Sequence, residues 1–433
     1  MRSTTFFSRE EFDSRVNRTR ALMAQRGLDA YLIANPENIY YLTGLDHQGY
    51  FAAQVLIVPL ESEPILVTRA MERAIVRDMV PHVRHVGYSD GIEPLPPPRN
   101  EAEDIVMGSG VHAGPNRGLR PWETSIGMVT REPKAHVATP SAAARATCAA
   151  LAEFRLVNGR IGLEESSSFL TYRIAKEIVE NLPEVEWEDC SGLVEDCRLV
   201  QSPTELKFTR QAAEVSDAMV LSAIASAGVG VEQSDIMASI YQAMFMRGGT
   251  YPGFIPLVRS SRTIEHEHGT WQNDRLRRGD LLFLEMAGCV RRYHAPMGRL
   301  VFIGKSPKSA ERMNKICREA IEKAAATIAP GVAAKEVYSA WQGVLERYGL
   351  AHYRRHHCGY AVGIGFPPSW SGSGVPIGLR KDSEMVLRPG MVFHLMSWLL
   401  RTGKGDSFLS DTVVVTDRGC EVLTKTSRDL VIR

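Results

Sequence analysis

The tetrapeptide Ser202-Pro203-Thr204-Glu205 constrains the fold more than any other short stretch of this chain. A serine followed three residues later by glutamate satisfies the first free amides of a helix in both directions, and proline is favoured at the first helical position. A helix therefore starts near residue 204, and the patterns on its two sides differ. Before it, helical and strand-like segments alternate. After it, two long helices (about 204–227 and 232–247) precede strand-like runs over Asp280 to Gly304 and Val386 to Val415. The expectation is an α/β unit over residues 1–200, then an α+β unit over 201–433 with paired helices on an antiparallel sheet.

Within the first unit, Ser8 caps a helix with Glu11 as its capping-box partner, and Phe7 and Phe12 have staple spacing. Gly27 ends that helix. Ala30 to Ile33 reads as a buried strand closed by a turn at Asn35-Pro36-Glu37-Asn38, with further strands at Gln54 to Val58 and Pro64 to Val67. Pro94 to Pro121 is rich in Pro, Gly and Asn without a period, which predicts a long loop. A helix over about Ser141 to Phe154 and a strand at Arg160 to Glu164 follow.

Composition excludes several classes of function. The 51 Lys and Arg against 50 Asp and Glu give no electrostatic reason to expect nucleic acid or an anionic membrane as partner. The seven cysteines include no CxxC pair and read as scattered thiols of a reducing compartment, not as a zinc or disulfide framework. No apolar run reaches 18 residues, and charges interrupt the start of the chain where a secretory core would sit. A soluble, cytoplasmic protein is the expectation.

The order of segments LDAYLIANPENIYYLTG, RIGLEESSSFLTYRI and LVEDCRLVQSPTELKFTRQAAEVSDA resembles the creatinase/prolidase family over nearly the whole chain. The resemblance implies a creatinase-type N-terminal domain followed by a pita-bread catalytic domain, and a homodimer. Metal-dependent members of that family hold two ions with two Asp, one His and two Glu. Those positions fall here on Glu285, Pro296, Tyr360, Met396 and Ser410, so one carboxylate remains of five ligands and neither metal nor cofactor is expected. The family's proton-transferring histidine, eight residues after a serine, matches His268 counted from Ser260. Creatinase lacks the metal site and keeps this histidine, but its two active-site glutamates fall on Gly298 and Met396, which puts creatine cleavage in doubt. Within the family, His268-Gly269-Thr270-Trp271, Arg292 to Pro296, Gly359 to Trp370 and Phe393 to Met396 resemble the ectoine hydrolase branch. That resemblance implies ring-opening hydrolysis of a cyclic amidine bearing a carboxylate, with ectoine or 5-hydroxyectoine as leading substrates.

Cleaving an amidine carbon without a metal requires a base for water, a proton for the leaving nitrogen and a hold on the substrate's charges. Glu285 lies in the apolar run Leu281 to Ala287, where burial raises a carboxyl toward the working range, and it is the candidate base. His268 is the candidate proton carrier. A substrate carboxylate calls for arginine, supplied by Arg299 or by one of Arg354 and Arg355. Tyr50, Trp271, His294, Tyr360 and His394 are placed on the substrate pocket by the resemblance.

Plainer readings stand beside these. Glu285 read alone is a strand carboxylate paired with Arg291 and Arg292 across a hairpin. The run His352 to His357 is either a metal or phosphate patch or a solvated face, and the alternate glycines from Gly359 to Gly365 suggest a sheet segment with close backbone approach. A creatinase-like amidinohydrolase on another small substrate and a non-catalytic pita-bread binding protein are the competing functions, with a prolyl peptidase last.

Overall fold

The computed structural model describes residues 6–88, 141–372 and 376–433, so the loop expected at 94–121 lies outside the described residues. Backbone contacts divide the chain into two compact units, Met1–Arg198 and Leu199–Arg433. The first is α/β and the second α+β.

The first unit opens with helix Arg9–Gln25, where Ser8 accepts from the Glu11 amide and the Phe7 and Phe12 rings meet edge to face at 5.8 Å. Its six-stranded sheet runs β4-β3-β2-β1-β5-β6. The strands are β1 Ala30–Ile33, β2 Val55–Pro59, β3 Ile65–Arg69, β4 Arg84–Tyr88, β5 Arg160–Leu163 and β6 Glu186–Asp189. Only the β1–β2 and β2–β3 pairs are antiparallel. Asn35 to Asn38 is not a turn, contrary to expectation. Asn35 is the N-cap and Pro36 the first residue of helix Pro36–Thr43, because proline's fixed φ suits a helix start as well as a turn.

In the second unit both capping-box bonds of helix Pro203–Ser226 are present, Glu205 N to Ser202 Oγ at 3.2 Å and Ser202 N to Glu205 Oε2 at 2.7 Å. The sheet runs β10-β11-β12-β9-β8-β7, with β13 beside β12 and β14 beside β9. These strands are β7 Leu257–Ser260, β8 Leu281–Val290, β9 Tyr293–Phe302, β10 Gly359–Ala361, β11 Val392–Leu399, β12 Ser407–Thr416, β13 Gly419–Val422 and β14 Val431–Ile432. Arg291 and Arg292 form the β8–β9 turn with φ of 50° and 65°, the positive pair that a two-residue hairpin turn requires.

Alternation along the strands decides what faces the helices. Leu282, Leu284 and Met286 of β8 and Met297 and Val301 of β9 form one core with helices Pro203–Ser226 and Gln233–Met246. Phe393, Leu395 and Leu399 of β11 form another with helices Ala310–Thr327 and Ala334–Arg347. Helix Pro203–Ser226 approaches so closely that a Cβ on Gly288 would meet the Ala212 carbonyl. Period two then sends Phe283 and Glu285 of β8, and His394, Met396 and Trp398 of β11, to the opposite face. That face carries the candidate site.

Candidate active site

Opposite the helices lies a cavity of about 330 Å³ walled by Phe254, Leu257, Tyr360, Trp370, Met396 and Trp398, with Glu267, His268, Glu285, Arg355, His356 and His357 as its titratable groups. Its size suits a small molecule. Strand register assembles it: Leu257 of β7 stands opposite Glu285, and Tyr360 of β10 opposite His394.

Glu285 is 5% exposed. Among the described residues no donor lies within hydrogen-bonding distance of its carboxylate, and His394 Nε2 stands 3.9 Å from Oε1. Burial pushes its pKa up to about 7, against the pull of Arg259 and Arg355, with Glu267 adding to the rise. The pairing with Arg291 and Arg292 does not form. The Arg292 guanidinium is turned to Thr250 Oγ1, the Tyr251 carbonyl and Cys289 Sγ instead.

Behind Glu285 runs a fixed polar chain. Trp370 Nε1 donates to the Tyr360 hydroxyl at 2.9 Å, that hydroxyl lies 3.0 Å from His394 Nδ1, and His394 Nε2 lies 2.8 Å from Ser410 Oγ. Burial, helped by His357, pushes His394 down to about 3, so the imidazole is neutral at physiological pH. Burial and the proximity of Glu285 raise the Tyr360 phenol far above its ordinary value, so it keeps its proton. His268 reaches the same cavity from the loop after β7, edge-on to Phe254 at 6.2 Å between ring centroids.

Three expected site residues of the second unit, Arg299, His294 and Trp271, lie away from this cavity. Arg299 opposes Leu284, so alternation turns it to the helix side, where it is 1% exposed. There it pairs with Asp411 at 2.9 Å and donates to the carbonyls of Gly298, Ser410, Thr426 and Ser427, which leaves nothing for a substrate carboxylate. His294 is fully buried. Its Nε2 accepts from the Gly253 amide at 2.8 Å, and burial beside Arg292 lowers it to about 3, so it positions the loop carrying Phe254. Trp271 packs against the core under helices Pro203–Ser226 and Gln233–Met246. Tyr50 belongs to the first unit, in the turn Gly49–Phe51, edge-on to Phe169 at 5.7 Å. Of the other arginines, Arg354 points outward to Glu346 at 3.2 Å, whereas Arg355 lines the cavity. Sequence reasoning gave no part to Glu267, Phe254 and Trp398. They come from separated segments, and only sheet register, which no local pattern encodes, brings them together.

The five positions that the family resemblance gives to metal ligands do not fit a pair of divalent ions. Pro296 and Met396 offer no hard oxygen, the Tyr360 phenol stays protonated, and Ser410 Oγ is engaged by His394. Among the described residues no three His, Cys, Asp or Glu side chains converge as a metal site. The glutamate that creatinase places at Gly298 is also excluded, because a Cβ there would run into the Phe408 ring.

Residues 207–417 match the metallopeptidase family M24, and residues 15–111 match the creatinase/prolidase N-terminal domain. The chain is 26% identical to the ectoine hydrolase of Halomonas elongata over 438 residues, covering 99% of this chain and 98% of the relative. It is 27% identical to the Xaa-Pro dipeptidase of Pyrococcus horikoshii over 271 residues, covering 63% of this chain and 74% of that one. Among solved structures, the prolidase from Thermococcus sibiricus superposes with a TM-score of 0.77 at 19% identity, covering 98% of this chain and 99% of that one. No helix among the described residues is long and apolar enough to cross a membrane.

Proposed function

We propose, for a chain that belongs to the creatinase/prolidase family and is an M24-type hydrolase, that its substrate is a small cyclic amidine bearing a carboxylate, ectoine or 5-hydroxyectoine foremost, opened without a metal ion. The observation that carries the reading is Glu285: a buried carboxylate, open to an aromatic cavity, bound by no donor among the described residues and poised to change protonation near pH 7.

Such a carboxylate serves an amidine in two ways. Ionised, it attracts the amidinium, and the apolar walls of the cavity strengthen the attraction. It then takes a proton from the water that attacks the amidine carbon. The C–N bond of the tetrahedral adduct breaks, and the leaving ring nitrogen takes a proton from His268, on the wall of the same cavity. Neutral His394, held between Tyr360 and Ser410, fixes the polar edge beside Glu285 and takes no proton of its own. The full-length similarity to an ectoine hydrolase supports this substrate, and the misfit of the metal-ligand positions supports a route that no metal assists.

A proton NMR time course of ectoine with EDTA-treated protein tests the reading. Ring opening to an acetylated diaminobutyrate is the expected result. An unchanged spectrum removes ectoine as substrate, and creatine, other cyclic amidines and proline dipeptides are then tried in its place.

A further inference from the structure

We infer that Arg355 is the seat of the substrate's carboxylate and that Glu267 is the resident anion that occupies this seat until substrate arrives. The inference rests on the zwitterionic substrate proposed above. Arg299 is locked to Asp411 and Arg354 is turned outward. Arg259 is fully buried over the Phe283 ring at 4.0 Å, with Nη1 on the carbonyls of Ile264 and His266. Arg259 thus clamps the loop that presents Glu267 and His268, and Arg355 is the arginine on the cavity wall.

The Arg355 guanidinium is held in place and underused. Its Cζ lies 4.7 Å from the centre of the Trp398 ring, which fixes its plane, and its backbone carbonyl accepts from the Tyr338 hydroxyl at 2.7 Å. Glu267 takes a single bond from Nη1 at 3.2 Å, while Nε is buried with no acceptor. A carboxylate arriving through the cavity can engage two donors of the fork, which is the stronger geometry. The partner it displaces is weakly held, because the Glu267 side chain is 54% exposed and exposed ion pairs contribute little. Glu267 therefore holds the guanidinium ready and competes with an arriving carboxylate only weakly. The seat and Glu285 give the cavity one cationic and one anionic pole, matched to a ligand with both charges.

Calorimetric titration of EDTA-treated protein with ectoine and with its carboxamide tests this in wild type, Arg355→Met and Glu267→Gln. For ectoine, Kd should rise at least about tenfold in Arg355→Met and fall about threefold in Glu267→Gln, as a fork contact is lost or a competing anion removed. The carboxamide should bind all three proteins within about twofold of one another, since it carries no charge for the fork to read. Glu267 is largely exposed, so its variant reads the seat even if Arg355→Met folds poorly. Unchanged ectoine affinity in Arg355→Met, or weakened affinity in Glu267→Gln, overturns the seat while ring opening by wild type keeps the substrate. Binding in the expected pattern without ring opening keeps the seat and overturns the reaction. Absence of ectoine binding to wild type overturns both.

Discussion

Both units of the molecule bury glutamates, and two of these, Glu164 and Glu285, are buried differently. Glu164, at the end of β5 in the first unit, is fully enclosed and saturated: it accepts from the backbone amides of Ala34 and Asn35 at 2.7 and 2.6 Å and from Asn38 Nδ2. Those donors lead into helix Pro36–Thr43, so its charge also meets the positive end of that helix. Burial and neighbouring Glu195 push its carboxyl upward, and the three donors pull against them. Glu285 shows the same dominant effect of burial but has no such donors among the described residues, and it opens onto a cavity. Burial alone does not mark a catalytic carboxylate. What separates the two is where the lone pairs go: Glu164 spends them on the fold, and Glu285 leaves them open to the cavity.

Substitutions sharpen that contrast. Glu285→Gln should lower kcat about a thousandfold, the scale of losing a positioned base, and leave the fold intact. Comparable turnover in that variant breaks the assignment. His268→Ala should lower kcat about a hundredfold by removing the proton carrier. Glu164→Ala should do the reverse, costing the first unit about 3 kcal/mol because buried donors lose their acceptor, a fall of roughly 6–12 °C in Tm by thermal melting. Arg299→Lys should likewise destabilise by about 3 kcal/mol while KM stays unchanged, because it disturbs a buried pair and no substrate contact. A raised KM without a change in Tm would return Arg299 to the pocket.

A smaller effect reports the raised carboxyl of Glu285 through pH. The folded-state pKa of Glu285 lies above its ordinary value, so the native state binds the proton more tightly than the unfolded chain. Its contribution therefore favours folding at low pH and is lost as pH rises from about 4.5 to about 7. The Tm of Glu285→Gln relative to wild type should climb across that window, and a difference independent of pH would show that Glu285 is already well solvated.

Much of this arrangement is legible in the chain. The Ser202 capping box, the Phe7–Phe12 staple and the β8–β9 hairpin are local, set by caps, spacing and turn chemistry, and each stands in the structure. Glu285, His268 and Tyr360, which the sequence singles out, lie on one cavity. The expectation for Arg299 fails on alternation: Glu285 opposes Gly298, so the next residue along must face the helices. The pairing of Glu267 with Arg355 spans 88 positions, and Trp398 comes from a third segment. Contacts of that kind follow from sheet register and helix packing, which no short pattern carries.

The most direct test of a buried carboxylate acting without metal is the pH dependence of kcat/KM for ectoine ring opening by EDTA-treated protein. An ascending limb is expected, with its midpoint near the value of about 7 held by Glu285 and unaltered when manganese, cobalt or zinc is added back. Activity lost on chelation and restored by a divalent ion, or a profile flat across that limb, would contradict it.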